Sequence, residues 1–195
     1  EMFSQPTIAE LTPMPDAARR TAYAPLPRVA DAADYALSHA QLRLWVLAQL
    51  EGALTAYNMP ASLLLEGRVD RAAIDMAFSA LVRRHESLRT TFVVVDGAPR
   101  QRVHPAPLGG IEFVDVSGEP DPAARARELA FEHARRPFDL ERGPLLRITL
   151  VRLEPESHAL LFNLHHIVSD DWSMGVLVNE FVRLHDAHAS GEASA

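Results

Sequence analysis

Two apolar runs near the end of the sequence restrict its possible folds more than any other feature. Leu145 to Leu153 and Ala159 to His165 each have the length of a strand, and Glu154-Pro155-Glu156-Ser157 separates them. Strand-length apolar runs divided by a few turn-forming residues are typical of a β-hairpin. Because the apolar faces of such strands must be covered, the two runs predict a sheet packed against other elements.

Caps, turn residues and periodicity predict further elements. Asp96-Gly97 lies between two strand-like runs and suits the tight turn of a second hairpin. Helices are expected from Ser38 to about Leu50, from Asp70, from Asp121-Pro122 to about Arg136 and from near Ser173, and strands at Ala61 to Leu65 and Ile111 to Val116. The first helix is apolar around most of its circumference, so we expect it to be buried. These elements predict an α/β fold with a mixed, mostly antiparallel sheet covered by helices.

Composition excludes several classes of function. At 195 residues and 48% hydrophobic content, one compact domain with a tail is expected. A net charge of -7 without a clustered Lys/Arg stripe argues against nucleic acid as a partner. No apolar run approaches the ~20 residues that cross a bilayer, and the start has no signal-like segment, so we expect a cytoplasmic protein without membrane contact. The absence of cysteine excludes disulfides and thiolate chemistry.

The segment His165-His166-Ile167-Val168-Ser169-Asp170-Asp171 carries the sharpest chemical signal, because it joins the end of an apolar strand to the start of a helix. Successive strand residues point to opposite faces, so the two histidines should diverge rather than chelate one ion. One ring would pack inward and the other would face a cavity. On these residues alone, two ordinary polar side chains at a strand end remain the alternative. His185 and His188 are expected to be solvated, and no metal site is predicted.

Four segments, in the same order, resemble motifs of the condensation domains of nonribosomal peptide synthetases. The segment from His165 resembles HHxxxDG. The other three are Ser38-His39-Ala40-Gln41-Leu42-Arg43-Leu44-Trp45, similar to SxAQxRLW; Arg84-His85-Glu86-Ser87-Leu88-Arg89-Thr90-Thr91-Phe92, similar to RHExLRTxF; and Pro137-Phe138-Asp139-Leu140 with Gly143-Pro144-Leu145-Leu146-Arg147, similar to PFDLxxGPLLR. The matches cover about Tyr35 to Leu184. They imply one lobe of a chloramphenicol acetyltransferase-like fold.

The resemblance also implies an activity and a set of site residues. The activity is amide-bond formation between a donor peptidyl thioester and the α-amine of an acceptor aminoacyl thioester. His166 matches the active-site histidine, either as a general base or as a positioning group, and His165 is assigned to loop packing. Asp170 matches the motif aspartate and is expected to pair with Arg84 and Arg89, a structural role. Asp171 stands where the motif has glycine.

The resemblance further implies the organisation of the chain and its partners. Residues 1–11 resemble the last helix of a peptidyl carrier domain, residues 12–34 read as a linker, and residues 35–195 resemble the N-terminal lobe of a condensation domain. No cofactor is expected to bind directly, because phosphopantetheine arms would be delivered by upstream and downstream carrier domains. The lobe would need the second lobe of the domain, and an adenylation domain would follow. Alone, the chain would be inactive.

Three alternatives belong to neighbouring classes. An epimerisation domain is less favoured because Trp172 precedes Ser173, as in the condensation form. A free acyltransferase of the chloramphenicol acetyltransferase type shares HHxxxDG, but the carrier-like start and the segment from Arg84 count against it. A non-catalytic domain that recruits partner enzymes is supported by Asp170-Asp171 and opposed by the intact His166.

Overall fold

The computed structural model describes residues 27, 29–50, 55–107 and 109–190, so the carrier-like segment 1–11 and most of the expected linker lie outside the described residues. The strands are β1 (Tyr35–Ala36), β2 (Asn58–Glu66), β3 (Thr90–Val95), β4 (Ala98–Val103), β5 (Ile111–Asp115), β6 (Leu146–Glu154) and β7 (Ser157–His165). The α-helices are α1 (His39–Ala48), α2 (Arg71–Arg84), α3 (Pro122–Arg135) and α4 (Asp171–Ser190), and a 3-10 helix spans Glu86–Arg89.

The predicted hairpin forms the middle of a four-stranded sheet with the order β2-β7-β6-β5. β7 pairs antiparallel with β2 on one side and with β6 on the other, whereas β5 pairs parallel with β6. A parallel pair needs a crossover connection, and α3 lies in the chain between these two strands. The mixed, mostly antiparallel sheet predicted from the sequence is therefore confirmed.

Helices cover both faces of this sheet. On one face, side chains of α2 and α4 pack against alternate residues of the hairpin, among them Ile148, Leu160 and Phe162. On the other face, α3 packs against Val151 and Leu161. The alternation of strand side chains decides which residue faces which helix layer. The result is a helix-sheet-helix arrangement, in agreement with the predicted α/β class.

The second hairpin belongs to a separate three-stranded sheet with the order β1-β4-β3, which the sequence did not predict. Its turn residues Asp96 and Gly97 have positive φ angles of 50° and 77°, as the predicted tight turn requires. Phe92 of β3 lies in a cluster with Phe138, Leu145 and Ile167. The hairpin is thus packed beside the segment that follows β7 instead of extending the larger sheet.

The first helix starts as predicted and is buried less than predicted. Ser38 and Gln41 form a capping box, with the Ser38 hydroxyl accepting from the Gln41 N–H at 3.2 Å. Leu44, Trp45 and Ala48 pack against the cluster around Phe92, but no residue of α1 is fully buried. The expectation of a buried helix is wrong because only one side of α1 meets other described residues.

The remaining helix starts follow the predicted caps with one shift. The Asp70 carboxylate accepts from the Ala72 N–H at 2.9 Å, and the Asp121 carboxylate from the Ala124 N–H at 2.8 Å. The last helix begins at Asp171 instead of near Ser173. None of the helices among the described residues is long and apolar enough to cross a membrane.

Candidate active site

The two adjacent histidines at the end of β7 have opposite environments. His165 is 3% exposed, whereas the side chain of His166 is open to solvent. Side chains on a strand alternate between faces, and the chain turns away from the sheet directly after His165. One ring is therefore placed for packing and the other for contact with a ligand.

His165 is held by both polar and aromatic neighbours. Its Nδ1 accepts a hydrogen bond from the Ile167 N–H at 3.1 Å, so the ring fixes the first turn of the loop. The Phe138 ring meets it edge to face at a centroid distance of 6.0 Å, and the Tyr57 ring lies at 6.4 Å. Burial lowers the pKa of His165 to about 4, with a smaller contribution from the neighbouring His166. The ring is therefore neutral at physiological pH.

The backbone of the loop determines the tautomer of His166. Its Nδ1 lies 2.7 Å from the Ser169 carbonyl oxygen, and its backbone N–H donates to the Tyr57 carbonyl at 2.9 Å. A carbonyl oxygen only accepts, so Nδ1 carries the hydrogen and the Nε2 of a neutral ring keeps its lone pair. A ring in this state can accept a proton or orient an N–H donor.

A cavity of about 370 Å³ opens beside His166. His166, Asp170, Asp171 and Trp172 line it from the loop and the start of α4, and the segment Ala56 to Met59 lines it from the start of β2. The pairing of Asn58 with His165 brings these two segments together. Among the described residues, no group of three or more His, Asp or Glu side chains is arranged to hold a metal ion.

The Asp170 carboxylate caps α4. Its Oδ1 accepts from the Ser173 N–H at 2.8 Å and from the Ser173 hydroxyl at 2.5 Å, and the Asp170 carbonyl accepts from the Met174 N–H at 3.0 Å. These two hydrogen bonds from Ser173 hold the pKa of Asp170 below its usual value, with a smaller contribution from His166. Asp170 thereby joins the histidine loop to the helix that follows it.

The expected pairing of Asp170 with Arg84 and Arg89 is wrong, because each of these arginines has another partner. Arg84 Nε lies 3.7 Å from Glu180 Oε1, and Arg89 donates to the His104 carbonyl and lies 3.3 Å from Glu86 Oε1. The N–H groups at a helix start attract the Asp170 carboxylate. Glu180, further along α4, instead meets the end of α2.

Glu180 and Ser173 are the partners that sequence reasoning missed. His85 Nε2 lies 2.5 Å from Glu180 Oε2, and this hydrogen bond is the main reason that the pKa of Glu180 is lowered. The spacing Asp-x-x-Ser before an apolar helix is a helix-start signal and could have identified the cap at Asp170. Glu180 has no such signal, because its contact with His85 depends on how α2 and α4 pack.

Tyr57, Met59 and Trp172 were also missed as cavity residues. Trp172 is 84% exposed, because the second position of α4 faces the cavity and solvent. Met59 reaches the cavity through the pairing of β2 with β7, and Tyr57 through the hydrogen bond that its carbonyl accepts from the His166 N–H. Local sequence reveals neither contact.

The sequence was compared with protein-family models and with curated proteins, and both comparisons give matches. The family model described as "Condensation domain" matches residues 31–195. The chain is 42% identical over 184 residues to tyrocidine synthase 3 of Brevibacillus parabrevis, covering 94% of this chain and 3% of that protein. It is 39% identical to surfactin synthase subunit 1 of Bacillus subtilis (strain 168), covering 94% of this chain and 5% of the relative. The chain thus spans a small fraction of these relatives.

Solved structures match the fold over most of the chain. The starter condensation domain of rhizomide synthetase superposes with a TM-score of 0.79 at 26% identity, covering 84% of this chain and 40% of that one. The first condensation domain of the CDA synthetase gives a TM-score of 0.77 at 23% identity and covers 85% of this chain and 43% of that one. Less than half of each solved chain therefore corresponds to the residues described above.

Proposed function

Because the chain belongs to the condensation-domain family, we propose that it supplies the histidine-bearing part of a site that forms peptide bonds between two carrier-bound thioesters. The observation that carries this proposal is the placement of His166. Its Nδ1–H is committed to the Ser169 carbonyl, and its ring lines a cavity of about 370 Å³ with Nε2 available as an acceptor.

The proposed reaction is an aminolysis. The neutral α-amine of the acceptor attacks the carbonyl carbon of the donor thioester, forming the C–N bond, and the C–S bond breaks to release the donor's thiol arm. The attacking nitrogen loses one proton, which His166 Nε2 accepts and returns to the leaving sulfur. Atoms and charge balance, and the histidine ends in its starting state.

In this proposal, much of the rate enhancement comes from holding the amine and the thioester in the geometry of attack. An α-amine with a pKa of about 8 is roughly one-tenth neutral at pH 7, so freeing it costs only about 1.4 kcal/mol. Holding the amine and the thioester in line can contribute several kcal/mol more. His166 therefore needs only to orient the amine and to accept its proton after attack. An imidazole side chain can perform both tasks.

The neighbouring residues have supporting roles in the proposal. His165 fixes the loop through the Ile167 N–H, and Asp170 fixes the start of α4 through Ser173. Neither side chain needs to touch the substrate. Both set the position of the Ser169 carbonyl, which in turn sets the orientation of the His166 ring.

The partners in the proposal are two peptidyl carrier domains. They would deliver donor and acceptor on phosphopantetheine arms, and the second lobe of the domain would complete the cleft around His166. The chain spans 40% of the solved starter condensation domain, which leaves room for such a lobe. A carrier at residues 1–11, a following adenylation domain and the cytoplasmic location stay predictions.

The test is the substitution His166→Ala in the full-length polypeptide that carries this chain. Dipeptide formation on the acceptor carrier should fall by about 100-fold or more, while loading of both carriers is unchanged. Mass spectrometry of the carrier-bound product measures both quantities. His39→Ala, at an exposed histidine of α1, is the matched control and should keep the normal rate.

Two outcomes would contradict the proposal. Near-normal dipeptide formation by His166→Ala would remove His166 from the reaction. An unsubstituted protein that forms no dipeptide with loaded carriers would instead favour the non-catalytic, partner-recruiting class, for which Asp170-Asp171 is the supporting feature in the sequence.

A further inference from the structure

Asp171 places a second carboxylate at the cavity beside His166. It is the first residue of α4 and is exposed, and its side chain lines the cavity together with Asp170. The Asp170 carboxylate is already used by the Ser173 N–H and hydroxyl. In the part of the chain that the structure describes, no hydrogen bond or ion pair occupies the Asp171 carboxylate. Its charge is therefore available to a ligand.

Carboxylates supply the negative charge around the cavity. The titratable side chains that line it are Tyr57, His166, Asp170 and Asp171, and no Lys or Arg side chain lies among the described lining residues. With Nδ1 bonded to the Ser169 carbonyl, a neutral His166 ring presents the lone pair of Nε2 to the cavity. The cavity thus offers two negative charges and one proton acceptor, which is complementary to a cationic N–H donor.

We propose that Asp171 selects the acceptor by its charge, attracting the α-ammonium form of the aminoacyl group to the cavity and holding its nitrogen beside His166. This inference rests on the proposed function, since it names the chemical form in which one substrate of that reaction binds. Asp171 is a positioning and specificity residue here. The bound ammonium first loses one proton to solvent, and the neutral amine then attacks and loses its second proton to His166 Nε2.

The attraction has opposite effects on binding and on chemistry. A carboxylate that favours the ammonium form tightens its binding and raises the pKa of the bound amine by the same factor. Attack requires the neutral amine, so a higher amine pKa reduces the reactive fraction at a given pH. Asp171 therefore lowers the KM for the acceptor and also lowers kcat, by about two- to fivefold each for an exposed charge pair.

The first experiment measures binding to the 195-residue chain by NMR titration. Alaninamide, which carries an α-ammonium, is compared with N-acetylalaninamide, which is neutral. The unsubstituted chain should bind alaninamide about two- to fivefold more tightly, and added salt should reduce this preference. Asp171→Asn should abolish it. Glu154→Gln is the matched control, since Glu154 lies at the far end of the β6-β7 hairpin from His165 and should leave the preference unchanged.

Either of two results overturns the inference. One is that the Asp171→Asn chain prefers alaninamide over N-acetylalaninamide as strongly as the unsubstituted chain does. The other is that the unsubstituted chain binds the two ligands equally. Asn is close in size to Asp, and the cap at Asp170 remains, so the variant should keep its fold. An unchanged melting temperature checks that it does.

The second experiment uses the full-length polypeptide and separates this inference from the proposed function. Asp171→Asn should raise the acceptor KM and also raise kcat at pH values below the pKa of the amine, each by about two- to fivefold. A merely structural role would not raise kcat, and a fall in kcat at unchanged KM contradicts the inference. Loss of the reaction in His166→Ala reports on the proposed function alone, whereas the binding experiment on the chain tests Asp171 independently.

Discussion

Adjacent identical residues have different chemistry in this chain because of where the strand ends. His165 keeps strand geometry and packs against the rings of Tyr57 and Phe138, so its ring is neutral and hydrogen-bonded to the backbone. His166 begins the turn, so its ring projects to solvent. Burial is costly for a charged imidazole, and this cost makes the inward histidine a pH-sensitive element of stability.

The pH dependence of stability should report on His165. Its folded pKa of about 4 lies below the ~6.5 of an unfolded histidine, so between these values the unfolded chain binds more protons. The stability contributed by the neutral ring is complete above about pH 6.5 and is lost as the pH falls toward 4. In His165→Asn, the slope of the unfolding free energy against pH should decrease by up to about 1.4 kcal/mol per pH unit.

Urea denaturation at pH 7, 6 and 5 measures this slope. Asn keeps an oxygen that can accept the Ile167 N–H, so the variant should remain folded at pH 7. His133, whose pKa burial also lowers to about 4, should keep part of the slope in the variant. His39→Asn, an exposed control, should retain the full slope. A variant with an undiminished slope would show that His165 can be protonated in the folded chain.

Asp170 should behave as a helix cap rather than as half of an ion pair. Asp170→Ala removes the acceptor for two donors of Ser173 and should lower the melting temperature by about 2–4 °C. Asp170→Ser keeps an oxygen at the cap and should recover most of this loss. Thermal or urea unfolding of both variants measures the difference. A much larger loss of stability in both variants would instead indicate a stranded buried charge.

At the scale of elements, side chains from three neighbouring strands hold the C-terminal end of α3 against the larger sheet. Asn58 Nδ2 donates to the Ala134 carbonyl at 2.7 Å, and Asn163 Nδ2 to the His133 carbonyl at 2.7 Å. Arg147 Nη2 donates to the Arg136 carbonyl at 2.5 Å. The last carbonyls of a helix have no partner within the helix, and cations near them are favourable. This contact fixes α3 against the strands that carry the histidine loop.

Arg147 is the unusual member of this contact. Its guanidinium lies 3.8 Å over the Phe138 ring, and its buried Nε and Nη1 have no hydrogen-bond partner among the described residues. Burial, with a smaller contribution from Arg136, lowers its pKa to about 10. Buried donors without partners cost about 1–3 kcal/mol, which offsets the gain from the Arg136 carbonyl.

Replacement of Arg147 by an apolar chain of similar length should therefore be tolerated. Arg147→Met removes the unpartnered donors and keeps the packing on Phe138, so the unfolding free energy should change by less than about 1 kcal/mol. Arg147→Ala also loses that packing and should cost about 2 kcal/mol or more. Urea unfolding of the two variants side by side gives the comparison. Equal, large losses in both would mean that the charge itself stabilises the end of α3.

At the scale of the whole molecule, the chain has its own core and an open candidate site. Helices cover both faces of the larger sheet, and a second cluster joins the smaller sheet to the histidine loop. Large apolar side chains such as Val46, Leu64, Phe131 and Trp172 are nevertheless exposed. Of these, Trp172 lines the cavity beside His166.

The chain by itself should fold cooperatively and form no peptide bond. It spans 40% of the solved starter condensation domain, and its cavity lies open to solvent at His166. Without a second wall, neither thioester arm is held in line, and the large positioning contribution is lost. Incubation of the purified chain with both loaded carriers, followed by mass spectrometry, should give no dipeptide above the spontaneous background. Product above background would show that the rest of the domain is dispensable.

Local chemistry of the sequence determined most elements. The cap at Ser38, the Asp-Gly turn, the helix start at Asp121-Pro122 and the hairpin after Leu145 all agree with the structure. Each depends on residues that are neighbours in sequence, so its energy can be estimated without knowing the fold. Strand alternation in the same way predicted that His165 and His166 diverge.

Tertiary structure decided which strands pair and which side chains contact each other. The parallel pairing of β5 with β6, the separate smaller sheet and the contact of Glu180 with His85 all join segments far apart in the sequence. A carboxylate such as Asp170 can meet either an arginine or the N–H groups of a helix start, and local sequence allows both. Because α2 packs against α4, Arg84 lies next to Glu180. Asp170 instead accepts a hydrogen bond from the Ser173 N–H. The competition between these partners is settled only by distances that the complete fold imposes.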